Sequence, residues 1–243
     1  IVHAPDSRWD SFLGIVQAGL PVGGVILVTW LGGRFFSRRQ QGNRRSQLVR
    51  AIGVLVLVGS GFLGTQLLQQ SLPPGYGIGR TPWVLYYPGS SGYYFEARQV
   101  TSLDDFRQRY LEMLDDPDAS RRTLHLGTHP PGLFLVHLAV REACRNSPDI
   151  QQTVLSWQPR RVREAQATIL EGGRPIPPLD NAALWLAALL TQLCVVVTVI
   201  PIYRLVRIDN PPEVAWRAAS LWLLVAPLRV LLAPLGLLGG PLE

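Results

Sequence analysis

Two long stretches without a formal charge limit what this chain can fold into. Residues 11–33 and 181–203 contain no acidic or basic side chain. At about 1.5 Å per helical residue, each can cross a hydrocarbon core of about 30 Å. Residues 51–68 are slightly shorter but sufficient, and residues 218–238 are also apolar although they include Arg229. Only 16% of the chain is charged, which is low for a soluble domain. The sequence therefore predicts an all-α, multi-pass transmembrane protein.

The basic residues indicate how these helices are oriented. The formal charge is +6, every basic residue is an arginine, and the densest cluster, at residues 33–50, contains no acidic residue. Short arginine-rich loops stay in the cytoplasm, so residues 69–180 are predicted to lie outside and residues 204–217 inside. Three arginines of the long outer region run against this trend without altering the topology: Arg160, Arg161 and Arg163. A short loop between helices offers no folded surface to a nucleic acid, so no such partner is expected.

The predicted topology divides the chain into three parts. Residues 1–68 hold two transmembrane helices and the arginine-rich loop, residues 69–180 form an extracytoplasmic loop, and residues 181–243 hold two further transmembrane segments. Because the chain begins without Met and ends just after an apolar segment, we expect a fragment of a longer protein. Cys144 and Cys194 have neither metal nor redox spacing, and no disulfide between them is expected.

The outer region is predicted to contain juxtamembrane helices. At residues 102–114, Ser102 is positioned to cap an amphipathic helix, with Asp105 three residues later. One face of this helix is apolar: Leu103, Phe106, Tyr110 and Leu114. The helix is expected to lie on the membrane surface or to pack against its neighbours. A second amphipathic stretch, residues 160–172, precedes the return to the membrane.

Between these stretches lies an unusual motif, GTHPPG, at residues 127–132. Proline and glycine prevent a helix from running through it, so a new helix is expected to start at Pro130 or Pro131 and to include residues 133–145. The apolar run of that helix is too short to span a bilayer. The sequence therefore predicts a juxtamembrane or partly inserted helix there.

An aromatic outer loop, a surface helix and His-Pro-Pro before a half-inserted helix form a characteristic order. With GYYFEAR at residues 92–98 and GTHPPG at residues 127–132, the chain resembles membrane glycosyltransferases of the GT-C type, in the branch that includes protein O-mannosyltransferases and aminoarabinose transferases. The resemblance covers roughly residues 86–234. It implies transfer of a sugar, with inversion, from a polyprenyl-phosphate carrier to an acceptor hydroxyl on the extracytoplasmic side of a bacterial inner membrane. The implied partners are the lipid-linked sugar donor and membrane lipids, and no cofactor is implied.

The resemblance also implies a general base and groups that hold the departing phosphate. Glu96 is the first choice for the base, with Asp104 and Asp105 as alternatives. Relatives usually place an Asp, often Asp-Glu, a few residues before the tyrosine pair, where this chain has PGSSGYY, so loss of activity stays an alternative. The expected substrate-binding residues are Tyr93, Tyr94, Arg98, Arg122, His125, His129 and Arg229.

Ordinary structural roles compete with these assignments. The alternative interpretation of Glu96 is an ordinary solvated acid, and that of Asp105 is part of a helix cap. His137, on the apolar helix, is expected to be a packing residue whose ring is hydrogen-bonded. His125 and His129 are four residues apart, but the glycine and prolines between and after them argue against a helical metal pair, so no metal site is predicted.

Two other functions are compatible with the sequence. A transporter or channel subunit would place polar groups at mid-membrane, as Gln17, Gln192 and Arg229 do, although no inverted repeat is visible. A non-catalytic membrane scaffold descended from the enzyme family would explain the missing acidic residue.

Overall fold

The computed structural model describes residues 8–37, 44–71, 77–87, 93–100, 102–115 and 132–232. The chain is mostly helical, which confirms the helical part of the predicted fold class. It forms two compact units. Unit 1 comprises Ile1–Pro73 and Gln192–Glu243, and unit 2 comprises Pro74–Thr191.

Unit 1 contains the longest apolar helices. Its elements are α1 (Arg8–Ser37), α2 (Arg44–Ser71), the end of α9 (Pro178–Val197), α10 (Val199–Val206) and α11 (Pro212–Leu232). α1 packs against both α2 and α11, and α10 packs against α11. The core of this unit is mostly aliphatic and contains a few aromatic rings. Its buried residues include Val25, Leu57, Val199, Tyr203, Trp216 and Leu223.

A close helix contact explains one of the glycines of α1. A Cβ added to Gly32 would overlap the indole ring of Trp216. The Trp216 Nε1 donates a hydrogen bond to the Thr29 carbonyl oxygen at 2.9 Å. The buried indole is therefore held in a slot that only a residue without a side chain leaves open.

Within the described residues, two helical stretches are long and apolar enough to cross a membrane, Gln47–Ser71 and Pro178–Val206. They contain two of the four predicted segments, residues 51–68 and 181–203. A third apolar stretch, Gly19–Phe35, is shorter.

Parts of the prediction for the chain ends lie outside what the structure describes. Residues 218–232 of the fourth predicted segment belong to α11, and the remainder lies outside the described ranges. The side chains of Gln17 and Arg229 also lie outside the description.

Unit 2 consists of shorter helices and one hairpin. Its elements are α3 (Arg80–Tyr86), α4 (Tyr93–Gln99), α5 (Leu103–Asp115), α6 (Gly132–Asn146), α7 (Pro148–Ser156), α8 (Arg160–Ala167), β1 (Leu170–Glu171), β2 (Arg174–Pro175) and the first part of α9. α4 packs against α6, and α3 packs against α4 and α8. The main core of the unit includes Ile78, Tyr94, Val162, Ile169, Leu184 and Trp185.

The predicted juxtamembrane helices have clear counterparts. Ser102 caps α5, because its Oγ accepts a hydrogen bond from the Asp105 amide nitrogen at 3.1 Å. The Phe106 ring stacks on Phe134 of α6 at 4.6 Å between centroids, so the apolar face of α5 packs against a neighbouring helix. α6 covers the predicted residues 133–145, whereas the proline pair lies outside the described residues.

The β-hairpin was not predicted. Glu171 pairs with Arg174 across a two-residue turn in which Gly172 and Gly173 have φ values of 57° and 78°. Two successive positive φ angles define the type I′ hairpin turn, which glycine adopts without strain. The predicted amphipathic stretch at residues 160–172 is therefore helical only as far as Ala167 and continues into β1.

Candidate functional site

The predicted site residues fall into three groups. Four of them, Tyr93, Tyr94, Glu96 and Arg98, lie on α4. Asp104 and Asp105 lie in the first turn of α5, and Arg229 lies on α11 in unit 1. Arg122, His125 and His129 lie outside the residues that the structure describes.

The best-defined polar cluster of unit 2 is centred on Asp180, in the first turn of α9. The Tyr94 hydroxyl donates a hydrogen bond to Asp180 Oδ1 at 2.6 Å. The Nε atom of Arg98 lies 3.3 Å from Asp180 Oδ2, and the Nε atom of Arg141 lies 3.5 Å from Oδ1. The Asp180 side chain is only 4% exposed. A buried carboxylate is thus stabilised by two guanidinium groups and a phenol.

Arg98 connects the Asp180 cluster to the solvent-exposed surface of unit 2. Its Nη2 donates to Glu171 Oε2 at 2.7 Å, and its Nη1 donates to the Tyr86 hydroxyl at 3.0 Å. Glu171 is half-exposed, whereas Arg98 is mostly buried. Desolvation of Tyr86 raises the pKa of its phenol, although the nearby Arg98 charge opposes that rise. Arg98 therefore has carboxylate partners on both its buried and its exposed side.

Arg141, on α6, has fewer hydrogen-bond partners than Arg98. Its side chain is 13% exposed, and its contact with Asp180 is at ion-pair distance. Its Nε and Nη1 atoms have no hydrogen-bond partner in the described part of the chain. A buried guanidinium normally finds acceptors for its five N–H groups. Arg141 therefore retains donor capacity next to Asp180.

Tyr94 is a donor in this cluster under ordinary conditions. Burial raises the pKa of its phenol well above the usual range, and the negative charge of Asp180 raises it further. Both effects disfavour the phenolate. Tyr94 thus stays protonated and holds the Asp180 carboxylate by hydrogen bonding.

His137 lies between the two predicted tyrosines. Its ring centroid is 6.3 Å from that of Tyr93 and 6.1 Å from that of Tyr94. The residue is fully buried, and burial lowers its pKa to about 4. The expected packing role is confirmed, but the expected hydrogen bonding is wrong, because neither ring nitrogen has a partner among the described residues.

The three candidate bases have different surroundings. Glu96 is half-buried, and desolvation raises its pKa although the Arg109 charge opposes that rise. Asp105 accepts a hydrogen bond from Arg109 Nε at 2.8 Å, while Asp104 is exposed. Glu96 therefore combines partial burial with a raised pKa, as a general base requires.

Four described residues that contact Arg98 or Asp180 are not predicted as site residues from the sequence: Tyr86, Arg141, Glu171 and Asp180. In the sequence, Asp180 marks only the end of the predicted extracytoplasmic loop, residues 69–180. Asp180 stands directly before the charge-free residues 181–203. That position was a signal from which its inclusion in the site could have been predicted. Arg141 and Glu171 carried no comparable signal, because nothing in the sequence indicates that they approach Arg98 and Asp180.

No metal site is evident in this region. Across the described ranges, no three His, Cys, Asp or Glu side chains are grouped to hold a metal ion. Cys144 is a buried thiol, and Cys194 is an exposed one.

Compared with known proteins, the chain matches no protein-family model, no curated protein sequence and no solved structure.

Proposed function

We propose that this protein is a multi-pass membrane glycosyltransferase that moves a sugar from a polyprenyl-phosphate carrier to an acceptor hydroxyl on the extracytoplasmic side of a bacterial inner membrane. The observation that carries the proposal is the convergence of Arg98 and Arg141 on Asp180, directly beside the tyrosine pair. The order of the GYYFEAR and GTHPPG motifs supplies the choice of reaction.

Exposed apolar side chains support the membrane part of the proposal. On α2, the side chains of Leu48, Leu55, Leu63 and Leu67 are between 55% and 64% exposed. On α1, Leu20 is 73% exposed. Leu20, Leu63 and Leu67 border the same surface cavity, and contiguous exposed apolar surface is rare on soluble monomers and typical of helices that contact lipid.

The arginines support recognition of a phosphate. Arg98 is shared between Asp180 and Glu171, whereas Asp180 is the carboxylate that the structure places beside Arg141, so capacity for a further anion remains at Arg141. The Nε and Nη1 atoms of Arg141 can donate to phosphate oxygens. We infer that the carrier phosphate binds at Arg141 and is held there as the glycosidic bond breaks.

Glu96 supplies the base in this proposal. Its carboxylate removes the proton of the acceptor hydroxyl while the acceptor oxygen bonds to the anomeric carbon of the sugar. The bond from that carbon to the phosphate oxygen breaks, and polyprenyl phosphate leaves with the electron pair. The raised pKa of Glu96 makes it a better proton acceptor than an ordinary surface carboxylate.

The proposal is tested by binding of the carrier alone. The chain is reconstituted in nanodiscs, and its melting temperature is measured with and without polyprenyl phosphate. A ligand at about 100 times its Kd stabilises the native state by about 2.7 kcal/mol. We expect Arg141→Gln to lose this stabilisation and Arg145→Gln to keep it, because Arg145 is an exposed residue of the same helix, paired with Glu142. Equal stabilisation of both variants would rule out the assigned phosphate site.

A polar chain in unit 1 favours the transporter as the second candidate. Gln66 Nε2 donates to Gln192 Oε1, and Gln192 Nε2 donates to Gln69 Oε1 at 2.7 Å. Hydrogen-bonded amides on apolar helices are a feature of polar pathways through membranes as well as of helix packing. Absence of carrier-induced stabilisation in a folded wild-type protein would favour the transporter or a non-catalytic scaffold over the enzyme.

A further inference from the structure

The turn between α7 and α8 presents an exposed tryptophan. Trp157 is 73% exposed, although an indole is usually at least partly covered. Three exposed arginines follow it within six residues: Arg160, Arg161 and Arg163. We refer to these four residues as the Trp157 surface. They include the arginines that run against the charge trend of the predicted topology.

The turn is held in place by the buried side-chain amide of Gln158. Gln158 is 5% exposed, and its Nε2 donates to Gln166 Oε1 at 2.8 Å and to the Asn181 carbonyl oxygen at 3.2 Å. Arg163 Nη1 donates to the Gln158 carbonyl oxygen at 2.8 Å. The indole is therefore presented by a fixed turn, so its exposure is built into the fold.

The anchor also gives the position of the turn relative to an apolar helix. Asn181 lies in the first turns of the stretch Pro178–Val206, which is long and apolar enough to cross a membrane. A hydrogen bond from Gln158 to Asn181 places the turn beside the polar end of that stretch. The polar end of a spanning helix lies at the headgroup level, where tryptophan is enriched.

The charge of the Trp157 surface matches an anionic lipid. The stretch from Trp157 to Glu164 has three arginines and one glutamate, and Glu164 is paired with Arg160 at 2.7 Å. Val162 and Gln166 are buried on one side of α8, and Arg160 and Arg161 are exposed on the other side. Arginines near an anionic bilayer surface favour attachment by about 1 kcal/mol each, or about fivefold.

We propose that the Trp157 surface docks on anionic phospholipid headgroups, with the indole in the interface and the arginines on lipid phosphates. This inference rests on the membrane part of the proposed function. It does not depend on the sugar-transfer reaction. It also explains why arginines are tolerated on the outer side of the membrane, where they bind lipid instead of determining topology.

Quenching of tryptophan fluorescence tests how deeply the Trp157 indole lies in the bilayer. The full chain is reconstituted in nanodiscs of phosphatidylcholine, with or without phosphatidylglycerol, that contain lipids brominated near the headgroup. The emission of Trp157 is the difference between wild type and Trp157→Phe. We expect it to be quenched by the brominated lipid in the anionic discs and shielded from aqueous iodide. It should be quenched less in discs of phosphatidylcholine alone.

Charge variants test the role of the arginines. The double variant Arg160→Gln/Arg161→Gln, which leaves the Arg163 contact with the turn intact, should lower the ratio of docked to undocked surface by up to about 25-fold in anionic discs, from about fivefold per arginine. The matched control Arg145→Gln should leave Trp157 quenching unchanged. Equal quenching in neutral and anionic discs, or full access of iodide to Trp157, would overturn the proposal. Protection of Trp157 by RNA or duplex DNA without lipid would assign the surface to nucleic acid instead.

A second tryptophan separates this inference from the membrane assignment. Trp30 lies on the apolar stretch Gly19–Phe35 and is 51% exposed. If Trp30 is quenched by brominated lipid and Trp157 is not, the chain is inserted and the docking proposal fails alone. If neither is quenched, the membrane part of the proposed function fails with it.

Discussion

We expect Asp180→Asn to lower the free energy of unfolding by about 3 kcal/mol, since removing one partner of a buried ion pair costs about 3–5 kcal/mol. The side chains of Arg98 and Arg141 are 17% and 13% exposed, so both charges stay largely desolvated in the variant. Arg98 keeps Glu171 as a partner, and asparagine can still accept the Tyr94 hydrogen bond. Those two remaining interactions put the expected loss at the lower end of the range.

The loss is measured as a change in melting temperature. For a chain of this size, about 3 kcal/mol corresponds to a decrease of about 6–12 °C. Asp149→Asn is the matched control, because Asp149 is an exposed residue in the first turn of α7. We expect that control to change stability by less than about 1 kcal/mol.

A double-mutant cycle identifies the cause of the loss. Adding Arg141→Met to Asp180→Asn removes the unpaired charge, so the double variant should be less destabilised than the sum of the single variants by about 1–3 kcal/mol. A single Asp180→Asn variant within about 1 kcal/mol of wild type, or additive effects in the cycle, would refute the assignment of a buried ion-pair cluster.

Two further predictions concern packing and pH. Gly32→Ala should destabilise unit 1 by about 1–3 kcal/mol, because its methyl group would overlap the Trp216 ring, whereas Gly19→Ala, with open space around it, should be neutral or stabilising in a thermal melt. His137 has its pKa lowered from 6.5 to about 4 by burial, so the unfolded chain takes up the proton first and stability is lost as the pH falls from about 6.5 to 4. Between pH 7 and pH 5 the loss attributable to this residue should be about 2 kcal/mol, from the two pKa values. Melts of wild type and His137→Leu should differ in pH dependence by that amount, and parallel profiles would contradict a neutral buried imidazole.

Local patterns were sufficient to predict α5 and α6 of unit 2, whereas the short helices α3, α4 and α7 were not predicted. The spacing of Leu103, Phe106 and Tyr110, with a capping serine before it, predicts α5 correctly because both signals act within one or two turns. The apolar run after the proline pair predicts α6 for the same reason. The hairpin at Gly172 and Gly173 was missed because its strands are only two residues long, too short to show alternation.

The polar cluster was less accessible to sequence reasoning. Tyr94 and Arg98 were selected from a local motif, and the structure brings both to Asp180. Their partner was not identified because the Tyr94–Asp180 hydrogen bond joins residues 86 positions apart. Arg141 comes from a third helix. Such convergence depends on tertiary packing, which neither periodicity nor motif spacing reports.

The slot at Gly32 has a consequence for the order of assembly during synthesis. The Trp216–Thr29 hydrogen bond joins residues 187 positions apart in the chain, and unit 1 is interrupted by the whole of unit 2. When α1 and α2 leave the ribosome, the ring that fills the slot has not been made. Unit 2 is therefore translated completely before unit 1 can close, and the α1 surface around Gly32 must be kept from other contacts until α11 arrives.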